Sequence, residues 1–122
     1  HPEPAVIRFL STLTSTHLSV ITLAEIQSGI SQKPVHSERL RCWLSAIDTQ
    51  GQYTLHDVTK DVAILAGQWQ GELRAVGCTK AFQDVVIGAT AYSHNMTLLT
   101  RNIKDFDDMQ GKGLRVYNPW TP

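Results

Sequence analysis

The chain has 122 residues, 42% of them hydrophobic, which suits one domain around a single core and argues against disorder. Eleven Lys and Arg balance eleven Asp and Glu, so no global positive field draws nucleic acid, and any RNA or DNA contact must be local. No apolar run approaches the ~20 residues of a membrane helix, and the opening His1-Pro-Glu-Pro4 predicts no secretory leader. Cys42 and Cys78 lack zinc or redox spacing and read as two reduced cysteines of a cytoplasmic protein. The first residue is not Met, and the chain reads as starting in a connection into a helix, as a processed or truncated form would.

Pro4 suits a first helical turn, after which Val6, Phe9, Leu10 and Leu13 recur at helical spacing. His17-Leu-Ser-Val-Ile21 is short and β-branched and predicts a strand. Thr22 then opens a helix that Gly29 and Pro34 end. Leu40, Trp43, Leu44 and Ile47 predict a third helix closing near Gln50-Gly51, and Tyr53-Thr-Leu55 predicts a strand. Thr59 caps the longest helix, with Val62, Leu65, Ala66, Trp69, Leu73 and Val76 on one face and Gly77 at its end. The segment from about Ala81 to His94 is apolar nearly all round, which predicts deep burial. Met96 to Leu99 and Leu114 to Tyr117 are the last strands, joined through a short helix between Asn102 and Asp108.

Short apolar strands separated by helices predict an α/β fold with a parallel sheet covered on both faces. In such sheets a site forms beyond the carboxyl ends of the strands. Glu25 and Asp105 each follow a strand directly, and Asp84 heads the apolar helix between them. Each acid also has a structural explanation. Thr22-x-x-Glu25 matches a capping box, Asn102-x-x-Asp105 is a looser version, and Asp84 near a helix start gains ~0.3–1 kcal/mol from the macrodipole. Together they suggest something else. Glu25 and Asp84 lie in apolar runs, where an unpaired charge costs several kcal/mol, and no run of basic residues stands nearby. Clustered carboxylates raise one another's pKa unless a cation sits among them, and hard oxygen ligands favour Mg²⁺ or Mn²⁺ over zinc. The five histidines show no metal-ligand spacing, and there is no Gly-x-Ser-x-Gly elbow or glycine-rich loop before a helix.

Ser19-Val-Ile-Thr-Leu-Ala-Glu25-Ile, Asp84-Val-Val-Ile-Gly-Ala-Thr-Ala91, Leu99-Thr-Arg-Asn-Ile-Lys-Asp105-Phe106 and Tyr117-Asn-Pro-Trp120 together resemble the VapC-type toxins of the PIN-domain superfamily, including the FitB-like branch. The likeness spans the whole chain in order. It implies a single three-layer α/β/α domain over residues 1–122 with a central parallel sheet, and a Mg²⁺- or Mn²⁺-dependent endoribonuclease. It also implies a cognate antitoxin protein as partner, and commonly a homodimer. On this resemblance Glu25, Asp84 and Asp105 are catalytic metal ligands, or orient water on the metal. Thr100, Arg101 and Asn102 stand beside the site. Arg101 and Lys104 are candidates for phosphate contact, with Lys80 and Arg74 further out and equally readable as solvated surface.

Family members begin with an apolar strand ending in Asp-Thr-Asn, which this chain does not contain. Loss of a buried central strand would remove apolar burial rivalling a net stability of ~5–15 kcal/mol, so an upstream segment or partner chain is expected to fill the gap. Two rival readings follow: a catalytically impaired PIN-like module that binds an antitoxin-like helix around Ile26, Ile30, Leu40 and Trp43, and a DNA-directed nuclease of related fold.

Overall fold

The computed structural model describes residues 16–49 and 53–119. The helix expected from Pro4 to Leu13, the side chains of Trp43 and Ile47, and Trp120 lie outside the described set. The described residues divide between Asp57 and Val58 into two compact units.

In the first unit, strand β1 (Thr16–Ser19) runs directly into helix α1 (Val20–Gln32). Ser19 is the cap: its hydroxyl accepts the amide N–H of Ile21 at 3.1 Å. Thr22 therefore sits inside the first turn, so the expected capping box with Glu25 does not form. The helix also passes through Gly29, which the sequence marks as a stop. A Cβ there would meet Leu40 Cδ1 at 3.3 Å, so this glycine permits close approach of helix α2 (Glu38–Thr49). A 3₁₀ turn (Pro34–His36) links the two helices, and buried Ser37 donates its hydroxyl to the Lys33 carbonyl. Strand β2 (Tyr53–His56) pairs parallel with β1 in the register Leu18 with Leu55. Ile26 and Ile30 form the core of this unit, with Leu18, Leu23, Leu40, Leu44 and Tyr53 packed against them. On the ladder, His17 and His56 are diagonal neighbours whose ring nitrogens lie 2.8 Å apart.

The second unit opens with helix α3 (Lys60–Ala75), capped as expected by the Thr59 hydroxyl accepting from the Val62 amide at 3.2 Å. Val62, Ala66, Trp69 and Leu73 are buried at helical spacing. They face helix α4 (Phe82–Ser93), whose Val85, Val86, Ala89, Thr90 and Ala91 are also buried. Thr90 satisfies its hydroxyl on the Val86 carbonyl at 2.7 Å. Gly88 lets the C-terminal segment press close, since a Cβ there would lie 2.9 Å from Met109 Sδ and 3.2 Å from Leu114 Cδ2.

Three helix exits share one mechanism. After α3, Gly77 takes φ +79°, its N–H bonds the Arg74 carbonyl at 3.0 Å, and the Cys78 N–H bonds that of Leu73 at 2.8 Å. Asn95 (φ 55°) repeats this after α4 and turns the chain into β3 (Thr97–Leu99). Gly113 (φ +104°) repeats it after the short helix α5 (Asp107–Gln110) and leads into β4 (Arg115–Tyr117). Strands β3 and β4 pair parallel, Leu98 opposite Val116. The observed ladders are thus β1 with β2 and β3 with β4, both parallel. Among the described residues no helix is long and apolar enough to cross a membrane.

Candidate active site

The second unit brings Asp84 and Asp105 together. Asp84 is the third residue of α4, its N–H bonding the Ala81 carbonyl at 3.1 Å, and it is half-buried because Val85 and Val86 follow it into the core. Asp105 closes a 3₁₀ turn (Ile103–Asp105) just beyond β3. That turn is built from the strand end. The Thr100 N–H bonds the Tyr117 carbonyl at 3.0 Å, extending the ladder, and its hydroxyl accepts from the Asn102 N–H at 3.0 Å. The Asn118 amide donates to the Arg101 carbonyl at 3.3 Å. Buried Phe106 and Met109 then anchor the chain beyond Asp105, leaving its carboxylate exposed.

Burial, and then the negative charge of Asp105, push the Asp84 carboxyl above its ordinary range, and Lys80 partly offsets them. This is the electrostatic signature of two acids held close. The cap explanations weaken at the same time. Asn102 makes no side-chain capping bond at the turn, and Glu25 stands in the second turn of α1, outside any capping box. Glu25 is exposed although Ile26 beside it is buried, because successive helical residues point in directions about 100° apart. It belongs to the first unit, Asp84 and Asp105 to the second.

Lys80 is the residue that the sequence reading undervalues. Instead of standing solvated, its ammonium donates to the Lys104 carbonyl at 2.9 Å and pairs with Asp107 Oδ1 at 3.4 Å and Asp108 Oδ2 at 3.2 Å. Burial draws its pKa down, and the bonds to Asp108 and Asp107 more than restore it. Cys78 adds a bond from Sγ to Asp108 Oδ2 at 2.9 Å, which holds the thiol above and the carboxyl below their usual ranges. The one cue in sequence is a cation four residues ahead of the acid that opens an apolar helix. Arg74 lies exposed in the last turn of α3, favourable to the helix macrodipole, and Arg101 and Lys104 are exposed beside the Asp105 turn.

Neighbouring carboxylates, one of them raised in pKa by its burial and then by the charge of the other, form a hard oxygen donor set whose repulsion a divalent cation would relieve. The donors fit Mg²⁺ or Mn²⁺ chemically. Among the described residues no group of three or more His, Cys, Asp or Glu side chains is arranged to hold a metal ion.

In the first unit an open groove of about 540 Å³ is lined by Leu23, Gln27, Ile30, Arg41, Leu44, Ser45 and Leu55. Ile26 and Ile30 are buried as the core pair of this unit, and of the residues read from sequence as a helix-binding surface Ile30 lines the groove, with Leu23, Leu44 and Leu55 supplying the rest of its apolar lining.

Parallel strands alternating with helices define an α/β protein. The PIN domain family model matches residues 1–112, and the chain belongs to that family. A ribonuclease VapC2 of Rickettsia felis is 28% identical over 111 residues, 87% of this chain and 78% of the relative. The DNA-bound VapBC structure from Salmonella typhimurium superposes with a TM-score of 0.79 at 25% identity, covering 97% of this chain and 86% of that one. The VapBC-1 structure from nontypeable Haemophilus influenzae, 21% identical, shares the fold with a TM-score of 0.81 over 98% of this chain and 87% of its own.

Proposed function

We propose that this chain is the ribonuclease toxin of a toxin–antitoxin pair, hydrolysing RNA phosphodiesters with the help of Mg²⁺ or Mn²⁺. Membership of the PIN family and relatives named as VapC ribonucleases support the class. The observation that supports the chemistry is that half-buried Asp84 at the head of α4 lies near enough to Asp105, in the turn after β3, for that charge to add to burial in raising the Asp84 carboxyl. Asp84 and Asp105 would hold the cation, and the family resemblance adds Glu25 to them. When bound, the cation supplies an acidified water and charge neutralisation at the scissile phosphate.

Every other task falls to the protein. The half-buried setting of Asp84 strengthens its electrostatic interactions with a bound charge. Arg101 and Lys104, exposed beside Asp105, offer cations to backbone phosphates without reading bases. Thr100 and Asn102 keep the turn in shape through their 3.0 Å bond. Residues 1–122 act as one domain in the cytoplasm, as a homodimer, the state that the family resemblance implies.

The partner is a cognate antitoxin that lays an amphipathic helix in the groove of the first unit, its apolar face on Leu23, Leu44 and Leu55 and an acid toward Arg41. Solved VapBC structures among the neighbours support a protein partner of this kind.

The test is cleavage of RNA, single-stranded DNA and duplex DNA by purified chain, with Mn²⁺ and with chelator. RNA cleavage that needs the cation and disappears in Asp84→Asn and Asp105→Asn is the expected result. Cleavage of DNA alone, or RNA cleavage indifferent to both substitutions, overturns it.

A further inference from the structure

Lys80 sits in the link between α3 and α4, and all its observed bonds go to one short stretch, Lys104 to Asp108. Its side chain is only 18% exposed, packed along the link while the ammonium reaches these three acceptors. The strongest bond by distance goes to the Lys104 carbonyl, in the peptide unit whose next residue is Asp105. On its own strand of chain, Lys80 precedes Ala81, the residue whose carbonyl receives the Asp84 N–H. One cation therefore spans the two segments that carry the paired acids. Cys78 makes a second tie between the same segments through Asp108.

Asp107 and Asp108 have a further consequence. Two carboxylates already neutralise the ammonium, which leaves Lys80 poorly suited to meet a phosphate. Its place is structural to the site and distinct from that of exposed Arg101 and Lys104.

We propose that Lys80 is a positioning residue for the ribonuclease reaction: its ammonium clamps the Asp105 turn to the head of α4 and so sets the gap between the carboxylates that a divalent cation must span. This rests on the function proposed above. Groups that hold metal-binding side chains in place typically contribute about 10–100-fold in cation affinity or activity.

The experiment compares the chain with Lys80→Met, Lys80→Arg and the double variant Asp107→Asn/Asp108→Asn. Mn²⁺ affinity is read from the rise in melting temperature on titration, and RNA cleavage from kcat and KM at several salt concentrations. Lys80→Met is expected to lose about tenfold or more in Mn²⁺ affinity and in kcat, with KM for RNA and its salt dependence unchanged. Lys80→Arg should recover part of both, and the double variant should fall between. Should Lys80→Met fail to fold, the double variant decides, because it removes two of the three acceptors while keeping the cation. Unchanged Mn²⁺ affinity in these variants overturns the proposal. So does a loss confined to KM with a shallower salt dependence, which would make Lys80 a phosphate ligand. If the unsubstituted chain binds Mn²⁺ but leaves RNA intact, the ribonuclease reading fails, while a loss of Mn²⁺ affinity in Lys80→Met still supports the clamp and unchanged affinity overturns it. An unsubstituted chain that shows no Mn²⁺ response overturns the clamp directly.

Discussion

Asp84 and Asp105 stand near enough for the charge of one to oppose ionisation of the other, although they come from a helix start and a post-strand turn. Burial is the larger influence on Asp84 and the neighbouring charge the next, and both act in the same direction. A carboxylate kept under such tension is costly to the folded chain unless a cation is present.

That cost has a pH dependence. The folded-state pKa of Asp84 lies above its ordinary value of 3.8, so the native state binds more protons than the unfolded one between those two values. Stability therefore falls as pH rises through that interval. In cation-free buffer, Asp84→Asn should melt at an equal or higher temperature than the parent at neutral pH, and the advantage should vanish below the carboxylate range. The gain should stay under about 1 kcal/mol, because Asp84 keeps contact with solvent. Melting curves across pH in chelator check it, and a clear loss at neutral pH would make Asp84 a helix-start residue only.

Gly88 faces Met109 Sδ and Leu114 Cδ2 at distances that leave no room for a methyl group. Gly88→Ala should cost about 1–3 kcal/mol despite the better helix propensity of alanine. Chemical denaturation measures the loss. Shortening the neighbour in the pair Gly88→Ala/Met109→Ala should show a coupling energy that two independent substitutions would lack.

Asn95 ends α4 in the left-handed region, where side chains with a Cβ are strained. Asn95→Gly should be nearly neutral, whereas Asn95→Ala should cost about 1–2 kcal/mol. Denaturation midpoints of the two variants check the difference, and equal stabilities would remove the strain argument.

Ser19 and Thr22 compete in sequence for the cap of α1, and the structure gives the bond to Ser19. Ser19→Ala should therefore destabilise by about 1 kcal/mol, and Thr22→Ala by much less. The reverse order would restore the capping box and with it a structural role for Glu25.

Much of the second unit was legible from residue patterns. Thr59 and Gly77 bracket α3 as read, because caps act through hydrogen bonds a few residues away. The apolar run from Val85 to Ala91 announced a buried helix, since no exposed helix tolerates that composition. Misreadings arose where two local rules compete. Thr22-x-x-Glu25 satisfies the capping-box pattern, and Ser19 looks equally at home in a strand. Gly29 looks like a stop, but it is a packing site whose partner, Leu40, belongs to another helix.

Residue order alone determined the alternation of strand and helix, the buried character of α4 and the places of Asp84 at a helix start and Asp105 just beyond a strand. Tertiary structure decided which acids share a field and which cation serves them. Lys80 reads as one more surface lysine until the chain folds back and sets the Lys104 carbonyl, Asp107 and Asp108 around it. Local propensity is written in neighbouring residues, whereas electrostatic coupling depends on distances that only long-range packing creates.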